Sequence, residues 1–255
     1  MTPQRHSPVY RISVEILCLV FSFSKSKLQP HLGSFDIHRQ NLSIVRLTAV
    51  CRHWRSVAIE HAILWSSIAF TTSTLPIIDC ATTFLRRSKG TSLHVHIWDM
   101  STTRHSPPCP LLRDALSNLL SLISSQRHRI VFLEVMEPSA GLFEAFQGPA
   151  ENVSRVFIQG HTPTHRSDPF SGKLPNVRQI TLVCPGPCRL RSLANLTQVT
   201  LHSGRRRWGL DTFLDCVDGC SSLESLSITR YLSFHPARDS TRIVSLHSQI
   251  GRAHV

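Results

Sequence analysis

Metal chemistry is the first possibility that the residue types raise. Cys184/Cys188 and Cys216/Cys220 are two Cys-x-x-x-Cys pairs, and four thiolates in two short clusters can close a tetrahedral zinc site. The first pair encloses Pro-Gly-Pro and the second spans a helix end, so neither loop has the shape of a zinc ribbon, and no metal or cofactor is expected. His94 and His96 form a His-x-His pair, but no third ligand lies nearby in sequence, and the pair reads as one exposed face of a half-buried strand. Asp211, Asp215 and Asp218 cluster as the wet side of a short helix, offsetting the charge of Arg205 to Arg207. There is no Gly-x-Ser-x-Gly, no phosphate-cradling glycine loop and no His-Glu-x-x-His. The sequence therefore points to a protein that binds rather than one that catalyses.

Over 255 positions, 41% hydrophobic and 17% charged residues form an ordinary globular balance. The formal charge of +12 attracts anionic partners, yet its densest pieces, Arg205-Arg206-Arg207-Trp208 and Arg86-Arg87-Ser88-Lys89, are short and carry no aromatic-interleaved stripe, so a dedicated nucleic-acid site is not expected. Eight cysteines spread along the chain, with Cys18 and Cys51 inside apolar helical patterns, fit a reducing compartment. Arg5 and Arg11 before ILCLVFSF resemble a signal peptide, but Glu15 interrupts the run and no small-x-small cleavage site follows. The sequons at Asn41, Asn152 and Asn195 would matter only on a secretory route. No apolar run approaches a membrane span.

The stretch IVRLTAVCRHWRSVAIEHAILWSSIAF, residues 44–70, organises the rest. Ile44, Leu47, Cys51, Trp54 and Ala58 recur at steps of three and four, with Val50 and Val57 widening the stripe and Arg46, Arg52, Arg55 and Ser56 opposite. The spacing predicts one amphipathic helix, a short break, and a second apolar pair, Leu64 and Trp65. Upstream, RISVEILCLVF predicts a helix from Ser13 to about Phe23, with Ser13 as N-cap, Glu15 in the first turn, Ile12 stapling against Leu17, and Ile16/Val20 and Leu17/Phe21 on one face. Between them, residues 24–42 read as a polar loop.

VCRHWRSVAIEHAILWSSI resembles the second half of an F-box of the kind found in fungal F-box proteins, and RISVEILCLVF resembles its opening helix. Ile12, Ser13, Val20 and Ala62 depart from the family pattern, Ser13 and Ala62 standing where prolines are usual. The resemblance implies an F-box over residues 11–68 that docks on a Skp-type adaptor through Ile12, Ile16, Leu17, Val20, Phe21, Val50, Trp54, Leu64 and Trp65. The two tryptophans act there by holding the helices or by touching the partner.

A connecting region over residues 69–126 follows, with a strand-like SSIAF, a helix from about Leu75 to Ser88, the strictly alternating strand LHVHIW, a Pro-rich break at 101–110 and a helix from Leu111. Beyond it a period appears. Apolar-x-x-apolar-x-apolar recurs at Ile130/Leu133/Val135, Val153/Val156/Ile158, Val177/Ile180/Leu182, Leu196/Val199/Leu201 and Leu223/Leu226/Ile228, its starts spaced by 23, 24, 19 and 27 residues, near the roughly 20–29 of leucine-rich repeats. The residues 127–232 resemble irregular leucine-rich repeats that follow fungal F-boxes. The Asn or Cys usual after each strand is replaced by Pro138, His161, Pro185, Gly204 and Tyr231, so the buried ladder must be made otherwise. An ordinary α/β layer is the alternative.

The expected fold is mixed: an N-terminal all-α F-box module, then an irregular α/β leucine-rich-repeat-like solenoid with a parallel sheet, between a disordered leader at 1–10 and a poorly ordered or truncated tail at 233–255. Period-two alternation sends Phe132, Glu134 and Met136, Arg155 and Phe157, Gln179, Gln198 and His202 to the face opposite the core. An exposed row with Phe132, Met136, Arg155 and Phe157 among polar neighbours has the makeup of a target-binding patch. The resemblance implies the substrate receptor of a cullin-RING ubiquitin ligase in cytoplasm or nucleus, binding the adaptor, the cullin ligase and an unnamed target protein. The alternatives are a basic nucleic-acid-binding repeat protein, a zinc-stabilised scaffold and a degenerate copy without a target.

Overall fold

The computed structural model describes residues 12–26, 35–71, 77–98, 110–137, 148–160, 173–183, 189–202 and 210–229. The leader, the tail, Cys184, Cys188, Arg205 to Trp208 and the five post-strand positions singled out above lie outside the described residues.

Three helices open the chain: α1 Val14–Ser26, α2 Phe35–Ala49 and α3 Arg52–Glu60, followed by a 3-10 turn at Ala62–Ser66. Ser13 begins α1 as expected, its hydroxyl accepting the Ile16 N–H at 3.4 Å. A backbone hydrogen bond, with the Ser13 hydroxyl, holds the Glu15 carboxyl below its usual range. Two expectations fail here. Helix α2 begins inside the stretch read as a loop, and its inward side carries a polar residue that hydropathy does not mark as buried: Asn41 is buried and donates to the Ala69 carbonyl at 2.6 Å. The single helix expected over Ile44 to Ala58 is two. Cys51 is extended, φ −159°, and its Sγ accepts the Trp54 N–H to cap α3, while Arg55 Nε donates to the Thr48 carbonyl at the end of α2. The apolar stripe runs across the break because both helices rest on one core.

That core holds Leu17, Phe21, Ile44, Val57, Ala58, Leu64 and Trp65 together with one face of a seven-stranded parallel sheet. The strands are β1 Ser67–Thr71, β2 Leu93–Trp98, β3 Ile130–Met136, β4 Arg155–Gln159, β5 Gln179–Val183, β6 Gln198–His202 and β7 Ser225–Thr229, lying side by side in chain order. Helices α4 Ile77–Arg87, α5 Pro110–Ser125 and α6 Leu210–Val217 pack Phe84, Leu119, Ile123 and Val217 on that face. Pro110 opens α5, where a missing N–H costs nothing. The sheet is open rather than closed into a barrel, and it begins at Ser67, so its first strand straddles the end of the expected F-box and the start of the stretch read as a connection, which supplies the second.

β2 meets β3 with a register shift between Leu93 and His94, and from β3 to β7 the register is uniform. Leu133, Val156, Ile180, Val199 and Leu226 align strand to strand, as do Val135, Ile158, Leu182, Leu201 and Ile228. Both rows face the core, each fully buried side chain contributing about 1.5–3 kcal/mol. The expected apolar positions are thus placed correctly in every strand.

The turns that precede the strands stack as well. Asn176 Nδ2 donates to the Glu151 carbonyl at 2.8 Å, Asn195 Nδ2 to the Pro175 carbonyl at 2.9 Å, and Asn152 Nδ2 to the His128 carbonyl. Backbone bonds run beside them from Ser154 to Val131, Arg178 to Ser154, Thr197 to Arg178 and Glu224 to Thr197. An asparagine ladder therefore exists, on the entry side of the strands rather than at their exits. Its sequence signal, Asn followed by Val or Leu three positions before the next core residue, was present at Asn152, Asn176 and Asn195. The amides of all three sequons are engaged as donors to backbone carbonyls of the fold.

Candidate functional site

The first surface is the outward side of α1. Leu17 and Phe21 are buried, whereas Ile16 (54% exposed), Leu19 (58%), Val20 (41%) and Phe23 (68%) are not. At helical spacing the last four form one contiguous apolar stripe roughly 100° wide. Helix α1 thus has two apolar sides, and the expected single face with Ile16/Val20 beside Leu17/Phe21 is corrected. Leu42, Val45, Val50 and Ile63 are also exposed on neighbouring elements. The residues expected to bind an adaptor therefore divide. Ile16, Val20 and Val50 are free to touch a partner. Ile12 and Trp54 are half-buried against the core, and Leu17, Phe21, Leu64 and Trp65 are inside it.

Inside, these aromatics interlock the module with the sheet. Phe21 meets Trp54 edge-on at 5.2 Å between ring centres, and Trp65 meets Phe84 of α4 at 5.0 Å. Trp65 Nε1 donates to the Ala58 carbonyl at 2.7 Å, and the Arg87 guanidinium lies over its ring. Burial beside Arg86 lowers the Arg87 pKa.

The second surface is the sheet face opposite the core. Strand pairing puts His94, Phe132, Arg155, Gln179, Gln198 and Ser225 in one row, and His96, Glu134, Phe157, Thr181, Thr200 and Ser227 in the next. The orientation expected for the target-binding residues is correct, but their exposure is not uniform. Met136 and Phe157 are buried and Phe132 is half-buried, while Arg155 and Gln179 are exposed and Gln198 and His202 are half-buried. Large side chains on adjacent strands stand only about 4.8 Å apart and shield one another. The Phe132 ring is flanked by His94 at 5.7 Å and His96 at 5.5 Å, and the Arg155 guanidinium lies over it at 5.5 Å.

One constellation went unforeseen. Ser67 of β1, His96 of β2 and Glu134 of β3 form a hydrogen-bonded chain across three strands: Ser67 Oγ to His96 Nε2 3.3 Å, His96 Nδ1 to Glu134 Oε2 2.6 Å. All three are buried, which corrects the reading of His96 as exposed. An acidic residue in the apolar strand IVFLEVM was the sequence signal. The order resembles a serine nucleophile, a base and an orienting acid, but all three groups are buried, and the bonds satisfy polar groups removed from water.

Burial raises the Cys80 and Cys18 pKa values, Glu15 adding to the effect at Cys18, and a raised thiol is a weak nucleophile. Cys216 and Cys220 are buried in the core, and no metal-binding group of His, Cys, Asp and Glu occurs among the described residues. Among those residues no helix is long and apolar enough to cross a membrane.

No protein-family model matches this sequence, and no curated protein matches it.

Proposed function

We propose that the chain is the substrate-receptor subunit of a cullin-RING ubiquitin ligase, with α1 to the 3-10 turn serving as an F-box and β1 to β7 as leucine-rich-repeat-like units. The observation that carries this reading is the two-sided α1. One side anchors the helix to the core, and the other leaves Ile16, Leu19, Val20 and Phe23 in water, where a contiguous apolar patch is stabilised by a covering protein. Supporting it, the sheet offers a separate, polar and aromatic face far along the chain from α1. Adaptor and target can then be held at once, and ubiquitin transfer is left to other subunits.

Co-purification with a Skp-type adaptor tests the reading. A one-to-one complex is expected, lost on Ile16→Glu or Leu19→Glu without a fall in thermal stability, since both side chains point outward. A folded, monodisperse wild-type chain that ignores the adaptor sinks the proposal.

A further inference from the structure

The charge on the second sheet face is sparse and one-sided. Among its described positions the only Lys, Arg, Asp or Glu residues are Arg155 and Glu134. Glu134 is buried and engaged by His96. Arg155 is exposed, and among the described residues its side chain makes no hydrogen bond and no ion pair. Its guanidinium carbon lies 5.5 Å from the centre of the Phe132 ring, a cation–π contact. Such a contact restrains the guanidinium while leaving N–H donors open to a ligand. An unpaired guanidinium beside a half-buried aromatic ring matches a carboxylate, which it can bind through two parallel bonds. Gln179 and Gln198 follow in register on the next two strands. Their amides donate and accept, as a peptide backbone laid across the strands requires.

We propose that this face takes an extended acidic segment of the target protein, with one Asp or Glu carboxylate seated on Arg155 beside Phe132. The inference rests on the reading of this face as the target surface and gives that target a chemistry. A nucleic acid fits less well. Charge-driven nucleic-acid binding uses a row of cations, with about 6–10 phosphate contacts giving a steep salt dependence, and the described positions of this face present one.

Selection of random twelve-residue peptides on the immobilised full chain tests the proposal, with three baits: wild type, Arg155→Gln, and Arg178→Gln as a control that removes an exposed charge off this face. Wild type and Arg178→Gln should enrich peptides with Asp or Glu at a fixed position next to an apolar residue, and Arg155→Gln should lose that preference. For the best peptide, changing the acid to its amide should weaken binding roughly ten-fold, the size of one charge-assisted bond, in wild type but not in Arg155→Gln. The proposal is overturned if no peptide is enriched, if the acidic position survives in Arg155→Gln, if only a phosphoserine version of the best peptide binds, or if a single-stranded RNA oligomer binds more tightly than any peptide. Adaptor co-purification on the same variants separates the two readings: its failure removes the ligase assignment, whereas loss of acid selectivity alone removes this one.

Discussion

Glu134 is a carboxylate in the middle of an apolar strand, and what makes it tolerable is a single imidazole 2.6 Å away on the neighbouring strand. A buried pair of this kind is more sensitive to losing one member than to losing both, because the survivor is left desolvated and unpaired. His96→Leu alone is therefore expected to cost about 3–5 kcal/mol, and His96→Leu with Glu134→Leu together markedly less, measured by urea unfolding of the single and double variants. Additive losses would mean that the two groups do not depend on each other. The same crowding decides Phe157. Alternation along β4 correctly turns it away from the core, yet it is buried, so Phe157→Ala reports on stability as well as on binding, and Arg155, which is exposed, gives the cleaner test of recognition.

At the scale of the element, the turns before the strands show how a repeat without the usual post-strand asparagine is held. Asn176 works twice, donating to the Glu151 carbonyl and accepting at 3.4 Å from Asn195. Asn176→Ala is expected to lower stability by about 1–2 kcal/mol, the loss of one good and one long bond at an exposed turn. Equilibrium unfolding in urea checks this, and a change under about 0.5 kcal/mol would leave the stacking to the backbone bonds alone. Helix α1 illustrates the opposite limit of local information. Its apolar residues cover nearly the whole circumference, so periodicity predicted a helix but could not say which side would face the core. Contact with α2 and α3 settles that, burying Leu17 and Phe21 and leaving Ile16 and Val20 outside.

Over the whole molecule, one core runs from Leu17 to Leu223, but its cover is uneven along the sheet. The core-facing residues of β6, Val199 and Leu201, are buried, whereas Leu226 and Ile228 of β7 are only partly so. In a stack of repeats each unit is stabilised by its neighbours, so amide hydrogen exchange should be slowest in β2 to β5 and fastest in β7, read by mass spectrometry of the full chain. Equal protection across the strands would point to all-or-none unfolding of the sheet with no local opening. The sequence alone determined the strands and their inward residues, because a period of two fixes which side chains share a face whatever lies against it. It determined the capping Ser13 and the burial of Leu64 and Trp65 for similarly local reasons. The break at Cys51, the burial of Asn41 within α2, and the chain from Ser67 through His96 to Glu134 were decided only in the tertiary structure. Those features depend on partners 28, 29 and 38 residues away in sequence for Asn41, Ser67 and Glu134, and on two helices sharing one core at Cys51, and no local spacing encodes such meetings.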